Sequence, residues 1–260
     1  MNPEISPSEL RQLIRNREWT SPTSGAAKGY LQANLVMLPR EQAFNFLLFC
    51  VRNPKPCPIL DVLEPAQTEP AIAPGADLRT DLPRYCIFEN GQLKAEVEDV
   101  SVVFNDDMVC FLLGCSFSFE NAMLAAGLPI RNLEEKKNVS MYVTNIPCQP
   151  AGPFSTSLVV TMRPMTPEQS IRAVQVTTRF HLTHGAPVHI GPPEAIGIKD
   201  LNRPHFGDPV TIRDGEIPVF WACGVTGILA ATSERVPLVI THSPGHMFVS
   251  DLLDEHLTLF

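Results

Sequence analysis

The sequence predicts an α/β fold: a mixed sheet covered by helices, with a smaller inserted α+β unit. Three observations predict it. Continuous apolar runs of strand length recur, at 109–113 (VCFLL), 158–162 (LVVTM) and 219–223 (VFWAC), as in strands buried on both faces. Between them lie stretches of helical period, some opened by a hydroxyl cap and a proline. The chain has 260 residues, 44% hydrophobic and 18% charged, which is enough apolar matter for a substantial core and too little charge for a disordered chain. The βαβ-like segment 158–190 sets the expected division. Residues 1–133 and 198–260 form the main α/β domain, and 134–197 form the smaller α+β unit.

The elements follow in order. Residues 7–17 read as a helix, with Ser6 or Ser8 as cap and Leu10, Leu13 and Ile14 on one face. An apolar stretch at 30–38 carries Gln32 and Asn34 within it. Residues 40–51 read as a helix that stops where Pro54, Pro56 and Pro58 force an extended path. A short strand at 59–63 and a long loop at 64–83 precede a hairpin, because Asn90-Gly91 suits a tight turn between 84–89 and 92–94. The strand 109–113 meets Gly114, and a helix at 117–126 ends at Gly127. A helix from Thr166-Pro167-Glu168 to about 178 has a cap, a proline at its first position and an early acid. Strands are expected at 187–190, 219–223 and 238–241, and partial helix at 248–260. Val109-x-Phe111-x-x-Gly114-x-Ser116 is echoed by Val219-x-Trp221-x-x-Gly224-x-Thr226, in each case a strand, a glycine and a hydroxyl residue.

Bulk properties narrow the function. A formal net charge of −8 disfavours nucleic acid or an anionic membrane as partner, since both need a basic footprint. No run approaches the roughly 20 apolar residues of a membrane helix. The first residues lack the features of a signal peptide, so a cytoplasmic location is expected. Seven cysteines without a CxxC pair suit reduced thiols and argue against a structural zinc site. Walker A, GxGxxG, GxSxG and HExxH patterns are absent, which weakens kinase, dehydrogenase and lipase-type readings.

Three stretches can carry chemistry. In Gly114-Cys115-Ser116-Phe117-Ser118, a strand end turns into a helix whose free N–H groups suit a carboxylate, and there Cys115 would have a lowered pKa. His181, His184 and His189 lie near Gly185 and Gly191, and imidazole moves protons near neutral pH. His242 and His246 sit past the end of an apolar strand, where open α/β sheets place ligands. Pro244 and Gly245 between them oppose a helical metal pair. Arg163, after a buried strand, and Arg84 are candidate carboxylate anchors. Asp208 and Glu216, beside loop glycines, are candidate bases or orienting groups.

Blocks spread over nearly the whole chain resemble the hydro-lyase family that includes D-glutamate cyclase. They include Gly29-Tyr30-Leu31-Gln32-Ala33-Asn34-Leu35, Gly114-Cys115-Ser116-Phe117-Ser118-Phe119-Glu120, Thr144-Asn145-Ile146-Pro147-Cys148, Val159-Val160-Thr161-Met162-Arg163-Pro164, Phe220-Trp221-Ala222-Cys223-Gly224-Val225-Thr226 and Thr241-His242-Ser243-Pro244-Gly245-His246-Met247. The resemblance implies a two-part α/β fold and the interconversion of D-glutamate and 5-oxo-D-proline, with loss or gain of water. The implied partner is a small carboxylic or amino acid; the charge and hydropathy read above add the expectation of no nucleic acid and no membrane, and a possible homo-oligomer without cofactor or metal is expected. Within the matched blocks, Cys115, Ser116 and Ser118 are read as the anion or oxyanion site and Arg163 as the carboxylate anchor. His189, His242 and His246, with Cys115, are the catalytic candidates. Asn34, Thr144, Asn145, Thr226, Asp208 and Glu216 are further substrate-binding candidates. Two other readings stay open: a metal-assisted dehydratase using the histidines with Asp208 or Glu216, and a non-catalytic amino-acid-binding module.

Overall fold

The computed structural model describes residues 5–232 and 236–254. Helix α1 (Pro7–Arg15) starts in a capping box: the Ser6 side chain accepts from the Glu9 N–H and Glu9 reaches back to the Ser6 N–H. Strand β1 (Tyr30–Pro39) follows, then α2 (Arg40–Arg52) and β2 (Ile59–Leu63). Strands β3 (Tyr85–Glu89) and β4 (Gln92–Val97) form the expected hairpin, with Asn90 and Gly91 both at positive φ as a type I′ turn requires. Strand β5 (Met108–Gly114) leads into a 3-10 turn, Ser116–Phe119, and α3 (Glu120–Ala125). Next come α4 (Arg131–Glu134), β6 (Ser140–Pro147), β7 (Ser157–Met165) and α5 (Pro167–Thr177), the last capped by Thr166 and Gln169. The chain continues through β8 (His189–Ile190), β9 (Ile217–Ala222), α6 (Val225–Ala231), β10 (Leu238–His242) and β11 (Phe248–Leu253).

The first sheet runs β2-β5-β1-β10-β3-β4, with β11 also on β1. The second runs β6-β7-β9-β8. The mixed α/β class stands. Every strand pairing among the described residues is antiparallel, however. The continuous apolar runs have a different cause from the one a parallel sheet supplies. One face of the first sheet is covered by the loops around Leu78, Leu82 and Val100. The other is covered by Phe46 and Phe49 of α2 and by Ala230 and Ala231 of α6. Burial on both faces removes the polar alternation whatever the strand sense.

Strand β9 lies in 198–260, the segment expected with the main domain, yet it pairs with β7 in the second sheet. Residues 248–253 form a strand where partial helix was expected, because they pair with the upper half of β1; residues 255–260 of that stretch lie outside the described ones. Strands β10 and β11 share one edge of β1. Val36 faces Thr241 and Ala33 faces Phe248, so three steps along β1 correspond to seven along its partner. The four extra residues, 243–246, bulge out as a loop. Strand β6, with α4 and α6, was not anticipated from the sequence.

Candidate active site

The end of β5 is closely packed. Gly114 has no room for a side chain, because a Cβ there would strike the Leu182 carbonyl oxygen. Asn34 donates to the Gly114 oxygen at 2.8 Å and to that of Leu113 at 3.3 Å. Gly224 leaves space for that same Asn34 amide. Asn34 therefore ties the Gly114 turn to β1 by hydrogen bonds and packs directly against Gly224.

Beneath this turn lies a buried charged cluster. Arg163 is fully buried, ion-paired with Glu120, and donates to Thr161 Oγ1 at 3.1 Å. Its guanidinium lies 5.4 Å from the Phe119 ring centre and 5.5 Å from that of Trp221. Burial raises the Glu120 pKa, and Arg163 opposes the shift. His184 is buried beside them at φ +81°, and its Nδ1–H donates to the Lys55 carbonyl at 2.8 Å. Burial pushes its pKa down to about 4, so the ring is neutral at pH 7. Cys115 is sealed as well. Burial drives its thiol well above the ordinary range, which corrects the expectation of an activated thiolate at this turn. One N–H from Phe117 does not offset the desolvation of the anion.

This cluster backs onto an open pocket of about 540 Å³. Gly29, Ser118, Asn121, Ala122, Arg179, Phe180, Leu253 and Asp254 line it. The 3-10 turn supplies Ser118, whose buried Oγ has no hydrogen-bond partner among the described residues. Arg179 follows the C-terminus of α5, is exposed, and lies over the Phe180 ring at 5.6 Å. Asp254 follows β11 and is 7% exposed; its N–H donates to the Gly29 oxygen at 2.9 Å. Asn121 Nδ2 donates to Asp254 Oδ2 at 3.4 Å, while Oδ1 has no partner among the described residues. Burial raises this carboxyl to about 7, against an ordinary value of 3.8, so near neutral pH it can take and return a proton.

The other predicted residues lie elsewhere. His242 is buried at the end of β10, accepts from the Leu35 N–H at 3.2 Å, and is pushed down to about 4 by burial. His246, in the four-residue loop, pairs with the Pro244 carbonyl at 3.0 Å, and burial lowers its pKa too. His189 bonds the Pro192 carbonyl at 2.7 Å and lies against Phe220. Thr144 donates to the Leu158 oxygen, while Thr226 donates to that of Cys223 and accepts from the Val159 N–H. Asn145 packs beneath Gly197. Asp208 accepts from the Asn138 N–H, and Glu216 is paired with Arg131 at 2.6 Å. None of these lines the pocket. Among the described residues no group of three or more His, Cys, Asp or Glu side chains is placed to hold a metal ion. Of the sequence candidates only Ser118 reaches the pocket, with Cys115, Ser116 and Arg163 in the buried layer behind it. Sequence reasoning missed Asn121, Arg179 and Asp254. Asn121 directly follows the matched block that ends at Glu120, which was its one available signal.

The chain is similar to known proteins along nearly its whole length. A protein of Geobacillus kaustophilus named "Putative hydro-lyase" is 58% identical over 254 residues, covering 97% of each chain. Proteins of the same name from Syntrophobacter fumaroxidans and Stutzerimonas stutzeri are 59% and 58% identical, over 97% and 98% of this chain and 97% and 96% of theirs. A solved nitrogen repressor-like protein of Methanococcus jannaschii aligns over 94% of this chain and 97% of its own at 9% identity, with a TM-score of 0.39, too low to bear on the fold. No described helix is long and apolar enough to cross a membrane. The family model described as D-glutamate cyclase matches residues 109–251, which include Ser118, Asn121 and Arg179, and with these relatives it shows that the chain belongs to the D-glutamate cyclase family.

Proposed function

We propose that the protein is a hydro-lyase that interconverts D-glutamate and 5-oxo-D-proline plus water in the pocket between Ser118, Arg179 and Asp254. The observation that carries the reading is one pocket of about 540 Å³ holding both an exposed arginine and a carboxyl raised to about 7. Family membership and the name of the relatives support the reaction class.

The substrate offers an α-carboxylate, an ammonium and a γ-carboxylate. Arg179 binds the α-carboxylate through its planar fork. Folding the substrate brings its nitrogen against its own γ-carbon, so proximity supplies much of the barrier reduction. Asp254, ionised, takes a proton from the ammonium as nitrogen attacks. Ser118 Oγ–H and the Asn121 amide donate to the oxyanion of the tetrahedral intermediate. Asp254 returns that proton to the departing oxygen, then takes the second proton from the newly bonded nitrogen and passes it to the same oxygen, which leaves as water. In sum two ammonium protons leave with one carboxylate oxygen as water, and the lactam C–N bond remains. Ring opening runs the same steps backwards.

A proton NMR time course tests this. Metal-free protein is incubated with D-glutamate, and separately with 5-oxo-D-proline, with the L-forms as controls. Conversion of the D-pair is expected. No conversion of either D-compound would remove this substrate assignment.

A further inference from the structure

A second pocket, also about 540 Å³, lies on the other sheet and shares no lining residue with the first. Its walls are Tyr142 and Val143 of β6 and the loop 197–205. That loop contributes Lys199, Arg203 and His205, together with a single carboxylate, Asp200. Neither Lys199 nor Arg203 forms an ion pair or a side-chain hydrogen bond among the described residues. The Asp200 carboxylate is partly engaged, accepting from the Asn202 N–H at 2.9 Å. A concave surface with two cations against one anion stands out on a chain of net charge −8.

The loop is also fixed in place. Tyr142 Oη donates to the Leu201 oxygen at 2.7 Å, and the His205 N–H donates to the Met141 oxygen at 2.9 Å. The Val143 N–H donates to His205 Nδ1 at 3.2 Å. With Nδ1 accepting, the ring proton sits on Nε2, which leaves a donor free. Gly197, at φ +81°, closes the loop over Asn145, where a side chain would collide. Three basic groups are thus held without internal acidic partners, so binding an anion loses no existing ion pair. The backbone that carries these side chains is already ordered, so a ligand would have to fix only the Lys199 and Arg203 side chains.

We propose that this pocket binds a small phosphate-bearing metabolite. Arg203 grips the phosphate through its fork, Lys199 adds a point charge and His205 an Nε2–H donor. Ile198 and Pro204 supply an apolar wall for the organic part. A pocket of this volume suits a small molecule.

Isothermal titration calorimetry with ribose 5-phosphate, and separately with inorganic phosphate, tests the site at fixed ionic strength. Saturable binding of one or both probes is expected, weakened at least tenfold in Arg203→Ala and in Lys199→Ala. Both side chains are exposed, so neither change should disturb folding, and circular dichroism checks that. Asp254→Asn, in the other pocket, should leave the affinity unchanged. Binding of ribose 5-phosphate alone identifies an organic phosphate, and equal binding of both identifies the phosphate group itself. No saturable heat with either probe, or an affinity untouched by Arg203→Ala, would overturn the proposal.

Discussion

The molecule holds two arginine–carboxylate neighbourhoods side by side, and they are built to opposite ends. In the buried cluster Arg163 is fully enclosed, paired with Glu120 and flanked by Phe119 and Trp221. In the pocket Arg179 is exposed, and Asp254 keeps an oxygen unpartnered among the described residues. Both carboxyls are raised by burial. Glu120 has a cation in contact that compensates it. Asp254 has an amide at 3.4 Å, which leaves it near neutrality. The difference teaches how to separate a charge that holds the fold from one available to a ligand. The first has its partner within the chain, and the second keeps one carboxylate oxygen without a partner among the described residues.

The largest effect on stability is expected at the buried Arg163–Glu120 pair. Glu120→Ala leaves an uncompensated cation, so it should cost about 3–5 kcal/mol in urea unfolding. A loss below 1 kcal/mol would show that the pair is not sealed. At the pocket, Arg179→Ala should reduce kcat/KM by roughly 10- to 100-fold, the worth of a hydrogen-bonded charge pair, mainly through KM. Its stability should stay within about 0.5 kcal/mol of the parent, as at an exposed site. Equal loss of stability in both variants would erase the distinction.

Proton linkage sharpens the contrast. His184 and His242 have folded pKa values of about 4 against an ordinary 6.5. The unfolded chain binds their protons first, so stability should fall as pH drops from about 6.5 to 4, by on the order of 3 kcal/mol per histidine. Asp254 acts in the opposite direction. Its folded pKa is raised from 3.8 to about 7, so its contribution is complete below 3.8 and is lost as pH rises through 7. Asp254→Asn should therefore be at least as stable as the parent at pH 8 and show a steeper acid loss between pH 7 and 4. Denaturant midpoints across that range measure both slopes. The smallest expected effect is at Ser118. Ser118→Ala removes one oxyanion donor and should lower kcat by about tenfold, the worth of one hydrogen bond of roughly 1–1.5 kcal/mol.

Much of the secondary structure was legible because it rests on local signals. Ser6 with Glu9, Thr166 with Pro167, and Asn90-Gly91 each specify a cap or turn through neighbouring atoms. Strand sense was not legible, since two-sided burial of β1 and β5 erases the alternation that marks an antiparallel sheet. The fate of 248–253 was hidden for a related reason: β11 exists through its pairing with β1, more than 200 residues away in sequence. The site divided along the same line. Gly114 and Ser118 were visible as a strand–helix turn. Arg163 and His242 were attractive as residues at strand ends, yet a sequence does not display that one is covered by Glu120 and the other by Leu35. Asp254 carried no signal at all. Its pKa comes from burial beside Gly29 and Asn121, which only the folded chain brings together.

On the proposed reaction, proton transfer belongs to the Asp254 pocket and not to the histidines at the end of β10. The most direct test of this assignment is turnover of 5-oxo-D-proline by four purified proteins, followed by proton NMR: the parent, Asp254→Asn, His242→Ala and His246→Ala. A loss of roughly 100- to 10,000-fold is expected in Asp254→Asn, the range for removing a general acid–base group. His246→Ala should keep turnover close to the parent, and His242→Ala should keep it in whatever fraction remains folded. Full activity in Asp254→Asn, with loss in a folded His242→Ala or His246→Ala protein, would contradict this assignment.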